Sequence, residues 1–174
     1  MAGILYETDS FINQVVNKAG VTTVKVFGGN PLVMGNPNAT DSGLRDLTVY
    51  ATGGNKVVIP FVNTKPLDAD GFPLRSIDRR KFEYQIGQTI DFFIPEASKG
   101  TEFGVIGANI TGGTSAVGKF LEPSNGSLLF TSSATQTSGI PSFEVIRTYT
   151  QEFPTGDFTS DPVTVYFVAT RYNG

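Results

Sequence analysis

The chain has 174 residues and a formal net charge of -3, with 14 phenylalanines and 20 glycines but no cysteine and no histidine. The absence of both residue types excludes disulfides, cysteine nucleophiles, Ser-His-Asp triads and ordinary zinc sites. The acidic balance argues against binding to nucleic acid, and no apolar run reaches the roughly 20 residues that a membrane-spanning helix needs.

A short helix is predicted near the beginning of the chain. Asp9 and Ser10 form a candidate N-cap, Gly20 follows the segment, and four apolar residues between them have helical spacing: Phe11, Ile12, Val15 and Val16. The helix has three turns at most, so it is marginal unless it docks against the body of the protein or a neighbouring subunit.

The next segment is predicted as a strand followed by an irregular arm. Residues 21–27 alternate between apolar and polar side chains, as a strand does. Residues 28–43 contain GGNP and GNPN, which disfavour both helix and inner strand. We therefore expect residues 1–46 to form an N-terminal arm with one short helix, in which residues 30–38 run extended over a partner. The alternative is that this segment folds back as a cap.

Strand signals are frequent after residue 46. Residues 47–51 and 56–62 alternate on either side of a glycine-rich turn, which predicts a hairpin. Pro60 lies within the second run and favours an edge strand or a bulge. Residues 63–80 read as a second long loop. Further strand candidates lie at residues 82–94, 103–110, 117–121, 128–130, 143–153 and 163–171.

These short strands predict an all-β fold. Turn residues separate them, including the hairpin signal Asn125-Gly126, and this spacing is typical of an antiparallel β-sandwich or barrel, here jelly-roll-like. We expect residues 47–174 to form this domain, with strands at about 82–94, 143–153 and 161–171 in the centre of its core.

Two charged segments in the second loop are candidates for binding. Asp68 and Asp70 resemble the beginning of a calcium loop, but Phe72 and Arg75 follow where further oxygen ligands are needed, so a polar turn is the better interpretation. The basic residues Arg75, Arg79 and Arg80 predict either a solvated loop or a protein interface, in which arginine is enriched.

No catalytic residue is predicted. Four carboxylates on or near the last strands could form a glycosidase pair, but nothing in their spacing selects two of them: Glu144, Glu152, Asp157 and Asp161. Three sequons, beginning at Asn38, Asn109 and Asn125, are interpreted as coincidental, because the N-terminal sequence lacks the pattern of a secretory signal. We expect no cofactor and no metal.

Four short segments in the second half of the chain, together with its overall composition, resemble those of a known class of proteins. They are GVIG at residues 104–107, AVGKFL at 116–121, SNGS at 124–127 and VTVYFV at 163–168. With its short length and the absence of Cys and His, the chain resembles the capsid decoration (cement) proteins of tailed phages.

The resemblance implies a non-enzymatic virion protein on the outside of a phage head. Such a protein is made in the host cytoplasm, is not secreted and stabilises the capsid by binding neighbouring subunits of the major capsid protein. It also implies a homo-oligomer, a trimer or a dimer, with no membrane and no nucleic acid among its partners. The interface candidates are the apolar residues of the short helix and the three arginines at 75, 79 and 80.

A different class of function stays open at this point. A β-sandwich binding module, of the carbohydrate-binding or tail-fibre type, would use exposed aromatic side chains. The candidates are Tyr6, Tyr50, Tyr149, Tyr166 and Tyr172, while the lack of tryptophan counts against a sugar-binding platform. An enzyme that works with carboxylates alone is a third reading.

Overall fold

Alternating apolar and polar residues form strands along most of the chain. The computed structural model describes residues 18–53, 56–61, 83–156 and 159–174. The protein is mostly β, which confirms the predicted all-β class. The strands are β1 (Lys18–Thr22), β2 (Val26–Phe27), β3 (Leu32–Pro37), β4 (Arg45–Val49), β5 (Val57–Pro60), β6 (Glu83–Tyr84), β7 (Thr89–Phe93), β8 (Glu102–Ile106), β9 (Phe120–Pro123), β10 (Phe130–Ser133), β11 (Ser142–Gly156) and β12 (Thr159–Tyr172).

The first half of the chain forms a small closed barrel in the order β1-β4-β3-β5-β7. Its strands are antiparallel except β1 and β4, which pair in parallel with Val21 opposite Asp46. One core cluster contains buried residues from most of the barrel strands. Val26 of β2 and Tyr84 of β6, which pair with each other, also belong to this cluster. The remaining members are Leu32, Leu47, Val58, Ile90 and Phe92.

The second half forms a five-stranded antiparallel sheet in the order β10-β9-β11-β12-β8. Its two longest strands, β11 and β12, pair from Ser142 opposite Tyr172 to Gly156 opposite Thr159. The turn between β9 and β10 contains Asn125 and Gly126, as predicted, and Gly126 has a φ of 69°, which glycine adopts without strain. The predicted central strands at 143–153 and 161–171 lie within this pair.

The barrel and the sheet share the largest core. Val33, Val57 and Phe93 alternate with residues of the first cluster and pack against the sheet. An aromatic pair crosses this boundary, since the Phe93 and Phe103 centroids are 5.6 Å apart, and Phe103 also contacts Phe143 of its own sheet at 5.3 Å. Because the rings of both sheets contact one another edge to face, the two sheets bury a common apolar layer.

Two buried asparagines connect the halves through hydrogen bonds. The Asn173 side chain accepts a hydrogen bond from the Val57 N–H at 2.7 Å and donates to the carbonyls of Val57 and Pro95 at 2.9 and 2.7 Å. The Asn30 Oδ1 accepts from the Phe27 N–H at 2.8 Å, and its Nδ2 donates to the Leu128 carbonyl at 2.9 Å. These bonds satisfy backbone groups that the strands leave unpaired.

Two sequence-based predictions about the barrel are wrong. Residues 47–62 do not form a hairpin, because β3 lies between β4 and β5 and pairs with both. The segment 28–43 is not an irregular arm, since it contains β3, in which Leu32 and Val33 are buried. A register shift between Met34 and Pro37 accommodates the Gly35-Asn36-Pro37 sequence within this strand.

Of the two positions predicted for Pro60, an edge strand or a bulge, the edge strand is wrong. Strand β5 lies between β3 and β7 in the closed barrel, so it has a neighbour on each side. Pro60 pairs with Phe92 of β7, and the pairs formed with β3 are those of Val57 and Val58. Strand β5 accommodates Pro60 because the N–H that proline lacks would lie beyond the last residue of β5 that pairs with β3.

The predicted strand at 21–27 is divided in the structure. Residues 23–25 separate β1 from β2, which joins β6 in a two-stranded sheet. The predicted boundary between arm and body, at residues 46 and 47, falls within β4. No helix within the described ranges has the length and the apolar character that crossing a membrane requires.

Candidate binding surfaces

The hairpin of β11 and β12 extends past the strands on either side of it. Strand β8 pairs with β12 between Val165 and Ala169, and β9 pairs with β11 at Phe143 and Glu144. We call residues 148–156 and 159–164 the distal hairpin. At about 3.3 Å per residue, the distal part of β11 is about 30 Å long. It is therefore the part of the described sheet that reaches farthest from its neighbouring strands.

One face of the distal hairpin is exposed and carries mainly hydroxyl groups. On β12, Tyr166 and Val168 pack into the core shared with the barrel, and the next position on the same face, Thr164, is exposed. Thr150 lies directly opposite Thr164. We call this the hydroxyl face; its exposed residues are Thr148, Thr150, Glu152, Ser160, Pro162 and Thr164. The face that packs on the barrel thus continues outward as exposed surface.

The opposite face of the hairpin is apolar where it lies next to β8. Phe153 and Val165 form a buried cluster with Ile106 of β8, and Tyr149 and Val163 pack against it as partly buried residues. This cluster makes the distal hairpin apolar on one face and polar on the other, which holds the pairing register in place.

A surface groove lies where the end of β12 meets the segment between β10 and β11. The described residues that line it are Gln136, Ser138, Gly139 and Tyr172, and its volume is about 520 Å³. Thr137 lies between the lining residues, and its N–H and hydroxyl donate to the two carboxylate oxygens of Glu122, at 2.6 and 2.8 Å. Glu122 is only 8% exposed. The groove wall is therefore held by a largely buried carboxylate.

The tyrosines considered as binding residues divide by exposure. Tyr50 and Tyr166 are core residues, and Tyr149 is half-buried. Tyr172 is 37% exposed and lines the groove. From the sequence, Tyr172 is only one of five candidate tyrosines, and Gln136 and Ser138 are not candidates. These residues are distant from Tyr172 in the chain, and a polar turn carries no signal that it faces an aromatic ring.

The three described carboxylates of the last strands, Glu144, Glu152 and Asp161, are not arranged as a glycosidase pair. Glu144 binds Arg171 at 2.6 Å, whereas Glu152 accepts a hydrogen bond from the Ser160 hydroxyl at 2.7 Å. Eight residues separate the two glutamates on β11, which corresponds to about 26 Å, far more than the roughly 10 Å limit for either glycosidase mechanism. Asp161 lies opposite Phe153, the neighbour of Glu152 on the strand, so the two acids are on different faces. Asp157 lies outside the described residues.

The other candidates from the sequence also lie outside the described ranges. These are the interface candidates Phe11, Ile12, Val15, Val16, Arg75, Arg79 and Arg80, the candidate tyrosine Tyr6, and the calcium-like segment with Asp68 and Asp70. Among the residues that are described, no group of three or more Asp or Glu side chains could hold a metal ion.

Comparison with known proteins assigns no family to these surfaces. No protein-family model matches the chain, and no curated protein matches it. The function therefore has to be inferred from the surfaces and from the pattern of the sequence.

Proposed function

We propose that the protein is a virion structural protein, which decorates a phage capsid and stabilises it by binding neighbouring subunits of the major capsid protein. The role is non-catalytic, and the protein acts as a homo-oligomer on the outside of the head. The observation that supports this most is the distal hairpin, because a long hairpin with one exposed face can reach across the boundary between two neighbouring subunits.

The chemistry of the hydroxyl face suits a protein partner. Threonine is β-branched and has little rotamer freedom, so its ordering at an interface costs less than the ordering of lysine or glutamate would. Hydroxyl groups both donate and accept hydrogen bonds, and they match the backbone and polar groups of a flat protein surface. Many identical copies on one particle multiply weak contacts of this kind into stable attachment.

The proposal is tested with a double substitution on the hydroxyl face. Thr150→Arg with Thr164→Glu places opposite charges on directly paired positions, so the hairpin is kept while two bulky charged side chains occupy the face. Phage heads that lack the protein are mixed with purified protein and sedimented. We expect the double variant to bind at least tenfold more weakly than the unchanged protein.

The matched control puts the same two residue types on another exposed site. Ala39 and Thr40 are exposed in the turn between β3 and β4, so Ala39→Glu with Thr40→Arg changes the surface without touching the hairpin. This control should bind like the unchanged protein. If purified phage particles do not contain the protein and heads do not retain it, the capsid role is refuted. Normal binding of the double variant refutes the hairpin as the contact.

A further inference from the structure

The groove beside Tyr172 has walls that are fixed before any ligand arrives. On one side, the two hydrogen bonds to Glu122 hold Thr137 between Gln136 and Ser138. On the other side, the residue after Tyr172 is Asn173, whose side chain makes three hydrogen bonds to Val57 and Pro95. A preformed site loses little conformational freedom on binding, so even modest contacts produce measurable affinity.

Two buried hydroxyl groups close to the groove have no hydrogen-bond partner among the described residues. They are the Tyr50 Oη and the Ser142 Oγ. Ser142 lies directly opposite Tyr172 in the β11–β12 pairing. Burial raises the pKa of the Tyr50 hydroxyl, and Glu122 and then Tyr172 raise it further, which places Tyr50 near both. Unpaired buried hydroxyls are uncommon in folded proteins, so these two distinguish the core beneath the groove from the rest of the described core.

The described part of the lining is polar but uncharged. It offers the amide of Gln136, the hydroxyl of Ser138, the backbone at Gly139 and one partly exposed aromatic ring. The Glu122 carboxylate behind Thr137 is largely buried and accepts two hydrogen bonds, and Arg171 at the end of β12 is paired with Glu144 at 2.6 Å. The ligand that fits such a surface is neutral, has many hydroxyl groups and has one apolar face for the ring.

We propose that this groove binds a neutral saccharide of one to three sugar rings, with the ring of Tyr172 against the apolar face of a sugar and Gln136 and Ser138 bonded to its hydroxyls. The volume of about 520 Å³ lies within the usual range for small-ligand sites. An extended peptide is a poorer match, because it needs apolar pockets for alternate side chains and the lining residues that the structure describes include a single aromatic ring.

The test uses three soluble probes: trisaccharides of glucose, of N-acetylglucosamine and of mannose. Each is titrated into isotope-labelled protein, and the amide signals of Gln136, Ser138 and Gly139 are followed by NMR. We expect at least one trisaccharide to shift these signals in a saturable manner. Tyr172→Ala should weaken that binding at least tenfold, while Tyr172→Phe, which keeps the ring, should bind within about twofold of the unchanged protein.

Two further variants keep the test decisive. Gln136→Ala removes an exposed amide and should weaken binding without affecting the melting temperature, so a loss of binding cannot be ascribed to unfolding. Ile86→Ala changes an exposed apolar residue in the turn before β7 and should leave binding unchanged. The proposal is overturned if no trisaccharide shifts the groove signals, or if Tyr172→Ala and Gln136→Ala bind as tightly as the unchanged protein. Neither result depends on the role proposed for the distal hairpin.

Discussion

Tyr84 shows how burial of one polar residue determines a response to pH. Its ring belongs to the core of the barrel, and its hydroxyl donates a hydrogen bond to the Phe61 carbonyl at 3.2 Å. Burial raises the pKa of this hydroxyl to about 12, and the nearby Asp91 carboxylate adds to the rise. The folded state therefore strongly favours the neutral form of the side chain.

Because the pKa of Tyr84 is raised in the folded state, the protein loses stability at strongly alkaline pH. Since the pKa is about 12 in the folded state and 10.0 ordinarily, neutral Tyr84 contributes its full stabilisation below about pH 10. That contribution is lost as the pH rises from 10 through 12. In Tyr84→Phe the ionisable group is absent, so we expect a smaller alkaline loss of stability, together with a cost of about 1 kcal/mol at neutral pH for the lost hydrogen bond.

Urea unfolding at neutral and at strongly alkaline pH measures this difference. Ile86→Ala is the control, because it changes an exposed residue that carries no ionisable group and should leave the alkaline loss as it is in the unchanged protein. An equal alkaline loss in Tyr84→Phe and in the unchanged protein would show that Tyr84 does not contribute.

At the scale of the elements, the barrel depends on strands that the sequence pattern had placed in an arm. Strands β1 and β3 lie within residues 18–37, and each pairs with two neighbours in the closed barrel. Gly20 allows β1 to lie very close to β4, since a Cβ at this position would be 2.8 Å from the Leu47 Cγ. The close contact makes β1 part of the body of the protein.

Two deletions separate the arm from the body. Removing residues 1–40 takes away β1, β2 and β3, so the barrel cannot close and we expect loss of the cooperative unfolding transition. Removing residues 1–17 takes away no described strand, and we expect the near-UV circular dichroism and the melting temperature to be kept. Retention of the fold after deletion of 1–40 would contradict the pairing of these strands. Unfolding after deletion of 1–17 would favour the capping role over the arm.

At the scale of the whole molecule, the shared aromatic layer couples the barrel to the sheet. Phe103 of β8 is fully buried and contacts both Phe93 of the barrel and Phe143 of the sheet. Removal of the Phe103 ring leaves a cavity between the barrel and the sheet. We therefore expect Phe103→Ala to lower the free energy of unfolding by about 3–5 kcal/mol and to affect both halves together.

Denaturant unfolding followed by two probes checks this coupling. Far-UV and near-UV circular dichroism should give coincident single transitions in the unchanged protein and in Phe103→Ala. Ile86→Ala, at a position 65% exposed, should stay within about 0.5 kcal/mol of the unchanged protein. Two separate transitions, of which only one shifts in Phe103→Ala, would show that the barrel and the sheet fold independently.

The sequence predicted the type of most elements but few of their partners. Alternation in residues 143–153 and 163–171 predicted β11 and β12, and Asn125-Gly126 predicted the turn between β9 and β10. The same kind of alternation in residues 47–51 and 56–62 led to a wrong hairpin. Period-two patterning shows that a segment is a strand with one buried face, but it carries no information on which strand lies beside it.

The candidate surfaces follow the same division. Tyr172 could be named from the sequence as one of the few polar-tipped aromatic residues, since residue type alone identifies it. Its selection over Tyr50 and Tyr166 required the fold, because burial depends on what packs above a strand. The hydroxyl face of the distal hairpin could also be identified only from the fold. Thr164 and Tyr166 lie on the same face of β12, but the barrel covers Tyr166 and does not reach Thr164.

The sequence by itself determined the all-β class, the absence of cysteine and histidine chemistry and the positions of the longest strands, because these depend on composition and on local periodicity. The tertiary structure decided that β3 enters a closed barrel, that the two asparagines connect the halves and that Glu122 fixes the wall of a groove beside Tyr172. These features arise from hydrogen bonds and contacts between residues far apart in the chain. Such contacts are selected by the packing of the whole molecule, which no local pattern records.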